Sequence, residues 1–177
     1  MILGLDISTS ISGATILDKD GVLLYNEAWD TRNKNKYPTL YDKAFLLKTE
    51  LENIKNNYNV TSIYIEQSLQ SFRSGFSSAK TLSTLSRFNG IISWVCYEVF
   101  ELQPELLAAA SARKLAGVVK KKGENAKEKS FEFVVDTVPE FVVEYTKFGN
   151  PRPGMYDKSD SYIIAKAGFI KCKNKKS

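Results

Sequence analysis

The opening stretch of this chain limits its fold more than any other feature. Ile2-Leu3-Gly4-Leu5-Asp6-Ile7 is a short apolar run of the kind that forms a buried strand. The polar turn from Ser8 to Ser12 separates it from a second strand candidate at residues 13–17, and Asp18-Lys19-Asp20-Gly21 separates that from a third at 22–28. The Asp-Gly step is a strong hairpin signal, because glycine tolerates positive φ. Three antiparallel strands are therefore predicted to come first. A polar loop at 31–36 follows, then a helix with Pro38 in its first turn, where a missing N–H is no loss. Leu40, Ala44, Leu47, Leu51 and Ile54 fall on one face of that helix.

A fourth strand is predicted at 60–66, then a long helix whose buried stripe is Phe76, Ala79, Leu82, Leu85, Phe88, Ile92, Val95 and Val99. A fifth strand is read at 102–109, a short helix near 111–116, a lysine-rich turn, a helix near 126–136 and a loop containing Asn150-Pro151-Arg152-Pro153-Gly154. A last helix from about 157 to 169 precedes a lysine-rich tail at about 171–177. The expected fold class is α/β, a mixed five-stranded sheet flanked by helices. With 177 residues and neither a repeat nor a linker, residues 1–177 are expected to form one domain.

Composition narrows the chemistry. The chain contains no histidine, which removes Ser-His-Asp and Cys-His catalysis and histidine-based zinc sites. Two cysteines, Cys96 and Cys172, make neither a Cys₄ zinc site nor a disulfide framework, and they favour a cytoplasmic, reducing home. No apolar run approaches the ~18 residues of a membrane span, and no basic leader precedes an apolar segment, so neither a membrane anchor nor a secretory signal is expected. Hydrolytic chemistry here must run on carboxylates, lysines or a carboxylate-held metal. The net charge of +5 and pI near 9.1 lean towards a polyanionic partner.

Four acids stand where elements end. Asp6 closes the first strand and Glu66 the fourth, and alternation puts Asp6 on a face with Gly4, and Glu66 with Tyr64. Small residues beside a carboxylate leave room for an ion. If the two strands are parallel neighbours, their acids converge at one sheet end, a common place for ligands. Asp157 and Asp160, three residues apart on the last helix, share one face ~5–6 Å apart, where a divalent cation would offset their repulsion. Each acid also has a plain structural reading: Asp157 as an N-cap with Asp160 in the first turn, Asp6 as a turn opener, Glu66 as a solvated strand end.

The segments Ile2 to Thr9 with Gly13-Ala14-Thr15-Ile16, then Ile63-Tyr64-Ile65-Glu66-Gln67, then Asp157-Lys158-Ser159-Asp160-Ser161-Tyr162-Ile163-Ile164-Ala165 together resemble the RuvC-type Holliday-junction resolvases, of the ribonuclease H-like nuclease fold. The likeness spans nearly the whole chain in the right order. Ile7-Ser8 departs from it, since the family commonly has proline or glycine just after the first acid.

The resemblance implies that Asp6, Glu66, Asp157 and Asp160 bind two Mg²⁺ ions, with Mn²⁺ able to substitute, and that the chain hydrolyses phosphodiesters in four-way and other branched DNA. Two cations held by hard oxygen ligands can activate water and neutralise the entering and leaving oxygens. Asp6 is expected to bridge the ions, Glu66 to bind one, Asp157 and Asp160 to complete the shells. The family's lysines before its penultimate helix fit Lys114 and Lys127 best, and Lys127 is expected to stabilise the transition-state phosphate. An aromatic wedge is implied just after Glu66-Gln67, where Leu69 takes the nearest position and Phe72 and Arg73 follow. A two-fold homodimer is implied, and the helix at 76–99 is apolar enough to serve both core and dimer contact.

Between Arg113 and Lys129 seven basic residues face two acidic ones. Arg113, Lys114, Lys120, Lys121, Lys122 and Lys127 are the candidate DNA contacts, a solvated charged face being the bland alternative. Two rival functions stay open: a non-catalytic junction binder on the same scaffold, and an actin-like nucleotide-using enzyme. The second lacks any Gly-x-x-x-x-Gly-Lys-Ser/Thr loop.

Overall fold

The computed structural model describes residues 1–67 and 79–174. In chain order the elements are β1 (Ile2–Asp6), β2 (Ile11–Leu17), β3 (Leu23–Asp30), α1 (Leu40–Asn57), β4 (Ser62–Glu66), α2 (Ala79–Phe100), β5 (Glu105–Leu107), α3 (Ala109–Ala116), α4 (Ala126–Thr137) and α5 (Met155–Asn174). They build a five-stranded mixed sheet in the order β3-β2-β1-β4-β5. The meander β1–β2–β3 is antiparallel, and β1 pairs in parallel with β4, which pairs in parallel with β5. The predicted fold class is the one observed. The Asp-Gly turn forms with Gly21 at φ +88, and the Asp18 carboxylate accepts the N–H groups of Asp20 and Val22.

Strand alternation divides the core into two layers. Leu3, Leu5, Ala14, Ile16, Ile63 and Ile65 point to α1 and α2, packing on Leu47, Leu51, Ile54, Phe88, Ile92 and Cys96. Ile2, Leu17 and Tyr64 point to the other side, against α3, α4 and α5. α5 is the most deeply seated helix, buried almost without break from Ser159 to Gly168. Glycine at sheet and helix positions makes this possible. A Cβ on Gly4 would stand 2.4 Å from the Ala165 backbone nitrogen, and one on Gly168 would stand 2.2 Å from the Tyr64 ring. The space beside Gly4, read from sequence as room for an ion, is therefore filled by α5 itself.

Several sequence expectations change in detail. Pro38 lies outside α1, because Thr39 and Asp42 form a reciprocal capping box that starts the helix at Leu40. β5 is three residues long, since the alanine run after it begins α3 instead, as high helix propensity favours. In α2, Phe76 lies outside the described residues, Ala79 is exposed, and Leu82 and Leu85 are only half-buried; full burial begins at Phe88. α5 begins before Asp157 and continues through Lys171 and Lys173 to Asn174.

Candidate active site

Asp6 is the last residue of β1 and Glu66 the last of β4. The register Leu5↔Ile65 brings both acids level at the carboxyl ends of two parallel neighbours, on the α5 face, as expected from sequence. Gly13 of β2 lies opposite Asp6, and a Cβ there would stand only 2.0 Å from the Asp157 carbonyl oxygen. The missing side chain lets the first turn of α5 descend onto the sheet beside Asp6. Buried polar contacts hold that turn: Thr15 and Ser161 hydroxyls lie 2.8 Å apart, and the Asn26 amide donates to Thr15 Oγ1 (2.7 Å) and to the Lys158 carbonyl (2.9 Å). Asp160 is 6% exposed.

Two cations face the acids. Lys127, at the start of α4, reaches Asp157 Oδ1 at 3.0 Å and Asp160 Oδ2 at 3.6 Å. Its backbone N–H is accepted by the capping Asn125 side chain, which fixes the base of the lysine. Arg113, from α3, lies 3.9 Å from Asp160 Oδ1, and its Nε donates to the buried Ser130 hydroxyl at 3.0 Å. Behind Glu66, the buried Asn89 amide donates to its carbonyl at 2.9 Å.

The electrostatics follow from this crowding. Burial pushes the Asp6 carboxyl well above the usual carboxylate range, and the charges of Glu66, Asp160 and Asp157 push it further against Lys127. Glu66 is pushed up to about 7 by burial first and Asp160 second, against the pull of Arg113 and Lys127. Asp160 is raised by burial, which outweighs the same two cations. Burial alone would draw the Lys127 ammonium down, but Asp157, Asp160 and Asp6 outweigh it and hold the group above the ordinary lysine value. Four acids thus crowd against two cations, and the crowding favours protons on the buried carboxyls.

Among the described residues, no three histidine, cysteine or carboxylate side chains stand as a ready-made ligand cluster. The donor set nonetheless fits a hard divalent ion. All its acidic groups are oxygen donors, and the Lys127 ammonium already sits between two of them, where a cation belongs.

The structure thus brings Asp6, Glu66, Asp157, Asp160 and Lys127 together and adds Arg113, which sequence reasoning assigned to DNA. Lys114 is exposed on α3, with no ion pair to the acids among the described residues. Lys120 caps its own turn through the carbonyls of Lys121 and Glu124, the Lys121 N–H donates to Glu124 Oε2, and Lys122 is exposed. Leu69, Phe72 and Arg73 lie outside the described residues. Sequence reasoning missed Gly13, Asn89 and Ser130. The only hint was an amide inside the apolar stripe of α2.

A mixed sheet of this order, with helices on both faces, defines the ribonuclease H-like architecture. Within that class the chain has the fold of the RuvC-type resolvases. The structure of Thermus thermophilus RuvC in complex with a Holliday junction substrate matches with a TM-score of 0.67 and 11% identity, over 98% of this chain and 94% of that one. A second T. thermophilus RuvC structure matches at 0.64 and 14%, over 98% and 96%. The crystal structure of the yeast mitochondrial Holliday junction resolvase Ydc2 matches at 0.60 and 16%, over 96% of this chain and 77% of that one. No family model and no curated protein matches the sequence. At these identities the likeness is one of fold. Among the described residues no helix is long and apolar enough to cross a membrane.

Proposed function

We propose that this chain is a metal-dependent, structure-selective endodeoxyribonuclease that cuts four-way junctions and other branched DNA by paired symmetric nicks. The convergence of Asp6, Glu66, Asp157 and Asp160 with Lys127 at one end of the sheet carries this reading. The fold supports it, since a RuvC of the same fold is seen with a Holliday junction substrate.

Asp6, Glu66, Asp157 and Asp160 are the proposed ligands of two Mg²⁺ ions, for which Mn²⁺ substitutes. When bound, such ions lower the pKa of water and neutralise charge on the entering and leaving oxygens. The chain's own residues do the rest. The buried acids concentrate oxygen donors in a poorly solvated pocket, where a bound cation would favour their ionised forms. Lys127, whose side chain is 45% exposed, can leave Asp157 to meet the scissile phosphate and stabilise the charge growing on its free oxygens. Arg113, anchored on Ser130, keeps Asp160 in place while that exchange occurs.

Lys114, Lys120, Lys121 and Lys122 are proposed to follow the DNA backbone, with Phe72 and Arg73 at the crossover. A homodimer places two sites on opposed strands. Its proposed contact is the face of α1 and α2 where Tyr41, Phe45 and Trp94 are each more than half exposed around a hollow of about 540 Å³. The free thiols Cys96 and Cys172 suit the cytoplasm.

The testing experiment is a panel of branched and linear DNAs incubated with Mg²⁺ and scored for paired nicks. Symmetric nicks in four-way junctions support the reading. Binding without nicking under any divalent ion would leave a junction binder in its place.

A further inference from the structure

Between α4 and α5 the chain builds a small hairpin that neither the sheet nor the acids require. Tyr145 bridges Pro151, the Thr146 N–H donates to the Asn150 carbonyl, and the Arg152 N–H donates to the Glu144 carbonyl, both at 2.8 Å. At the tip the Gly149 N–H donates to the Thr146 carbonyl at 3.0 Å, with Gly149 at φ +79. This is a type I turn closed by a left-handed glycine, a three-residue hairpin loop. Lys147 and Phe148 are its two central residues.

The base is fixed. Phe141 is buried edge-on against Phe131 at 6.1 Å, Met155 is buried with its sulfur accepting the Glu144 N–H at 3.3 Å, and Gly154 fits against Ala28, where a Cβ would stand 2.9 Å from that methyl. The tip is bare. Phe148 is 79% exposed, with the neighbouring Lys147 ammonium 5.0 Å from its ring centroid. Ala28, which Gly154 meets, pairs with Gly13, the residue opposite Asp6, so the stem rises from beside the acids.

We infer that the tip is a DNA-contacting element, with Phe148 stacking on an unpaired or unstacked base beside the cut and Lys147 pairing with an adjacent phosphate. The inference rests on the nuclease reading. An exposed ring with a cation over it, on a braced two-stranded stem, matches the chemistry of single-stranded nucleic acid: every base has a π face, and every nucleotide a negative charge. The element is separate from the segment after Glu66-Gln67, where the sequence placed a wedge.

The test measures binding of the full chain to a four-way junction and to a linear duplex of the same sequence, with Ca²⁺ in place of Mg²⁺. Phe148→Ala is expected to weaken junction binding about 5- to 100-fold, with duplex binding changed by less than about 2-fold and Phe148→Trp close to wild type. Lys147→Gln is expected to reduce the salt slope of junction binding by about 1. Matched melting curves exclude a folding defect at so exposed a position. Wild-type junction binding by Phe148→Ala would overturn the inference and leave the nuclease reading standing. A wild-type chain that neither binds nor nicks branched DNA would overturn both. Loss of self-association with DNA binding intact would assign the tip to a protein contact and likewise overturn it.

Discussion

Gly13 lies opposite Asp6 in the sheet, and its absent side chain is the space occupied by the carbonyl oxygen of Asp157, which would stand 2.0 Å from a Cβ at that position. One glycine therefore sets the distance between the strand acid and the helix acids. Gly13→Ala must push backbone, not the end of a flexible side chain. The expected cost is about 1–3 kcal/mol of stability, read by denaturant melting, together with a loss of nicking larger than that of Gly90→Ala, where a Cβ meets open space.

Lys127 is the cation nearest the acids at 3.0 Å, and its ammonium is expected to act on the phosphate in the transition state. Lys127→Met should lower the single-turnover nicking rate about 10²–10³-fold while leaving junction affinity nearly unchanged. Equal losses in both would make Lys127 a binding residue only.

Glu66, raised to about 7 from an ordinary 4.5, and Asp6, raised well above 3.8, keep protons in the folded chain that the unfolded chain has already released. Below the unfolded values their contribution to stability is fully present, and it is lost as pH rises through the folded values. In EDTA, the melting temperature should therefore fall between about pH 4.5 and 7, with Lys127 charged throughout. Glu66→Gln should flatten that fall, and nicking in Mg²⁺ should rise through the same window, because only ionised carboxylates hold the ions.

The site was half legible in the sequence, for reasons visible residue by residue. Asp6 and Glu66 end apolar strands of period two, so their face and sheet end follow from alternation and a parallel pairing. Asp157 and Asp160 follow from helical spacing. The proximity of Arg113 to Asp160 was not readable because α3 has only eight residues, too few for an apolar stripe to decide whether it or Lys114 turns inward. Gly13 was unreadable because its reason is a carbonyl far along the chain. Leu82 and Leu85 looked like core by periodicity, which reports an apolar face but not how deeply it is covered. Pro38 was drawn into α1 by its preference for first turns, which the Thr39–Asp42 box overrode.

Trp94 and Phe45 are 62% and 74% exposed on the face of α1 and α2. Trp94→Glu should shift the chain from dimer to monomer by sedimentation and convert paired nicks into single, unsynchronised ones. An unchanged dimer would move the interface elsewhere.

Asp6→Asn tests the central claim most directly, because it keeps the shape of the side chain and removes one charge from the cluster. With metal-purified protein, a four-way junction and Mg²⁺, nicking is expected to vanish while junction affinity measured in Ca²⁺ stays within a few-fold of wild type. Nicking at the wild-type rate by Asp6→Asn would contradict it.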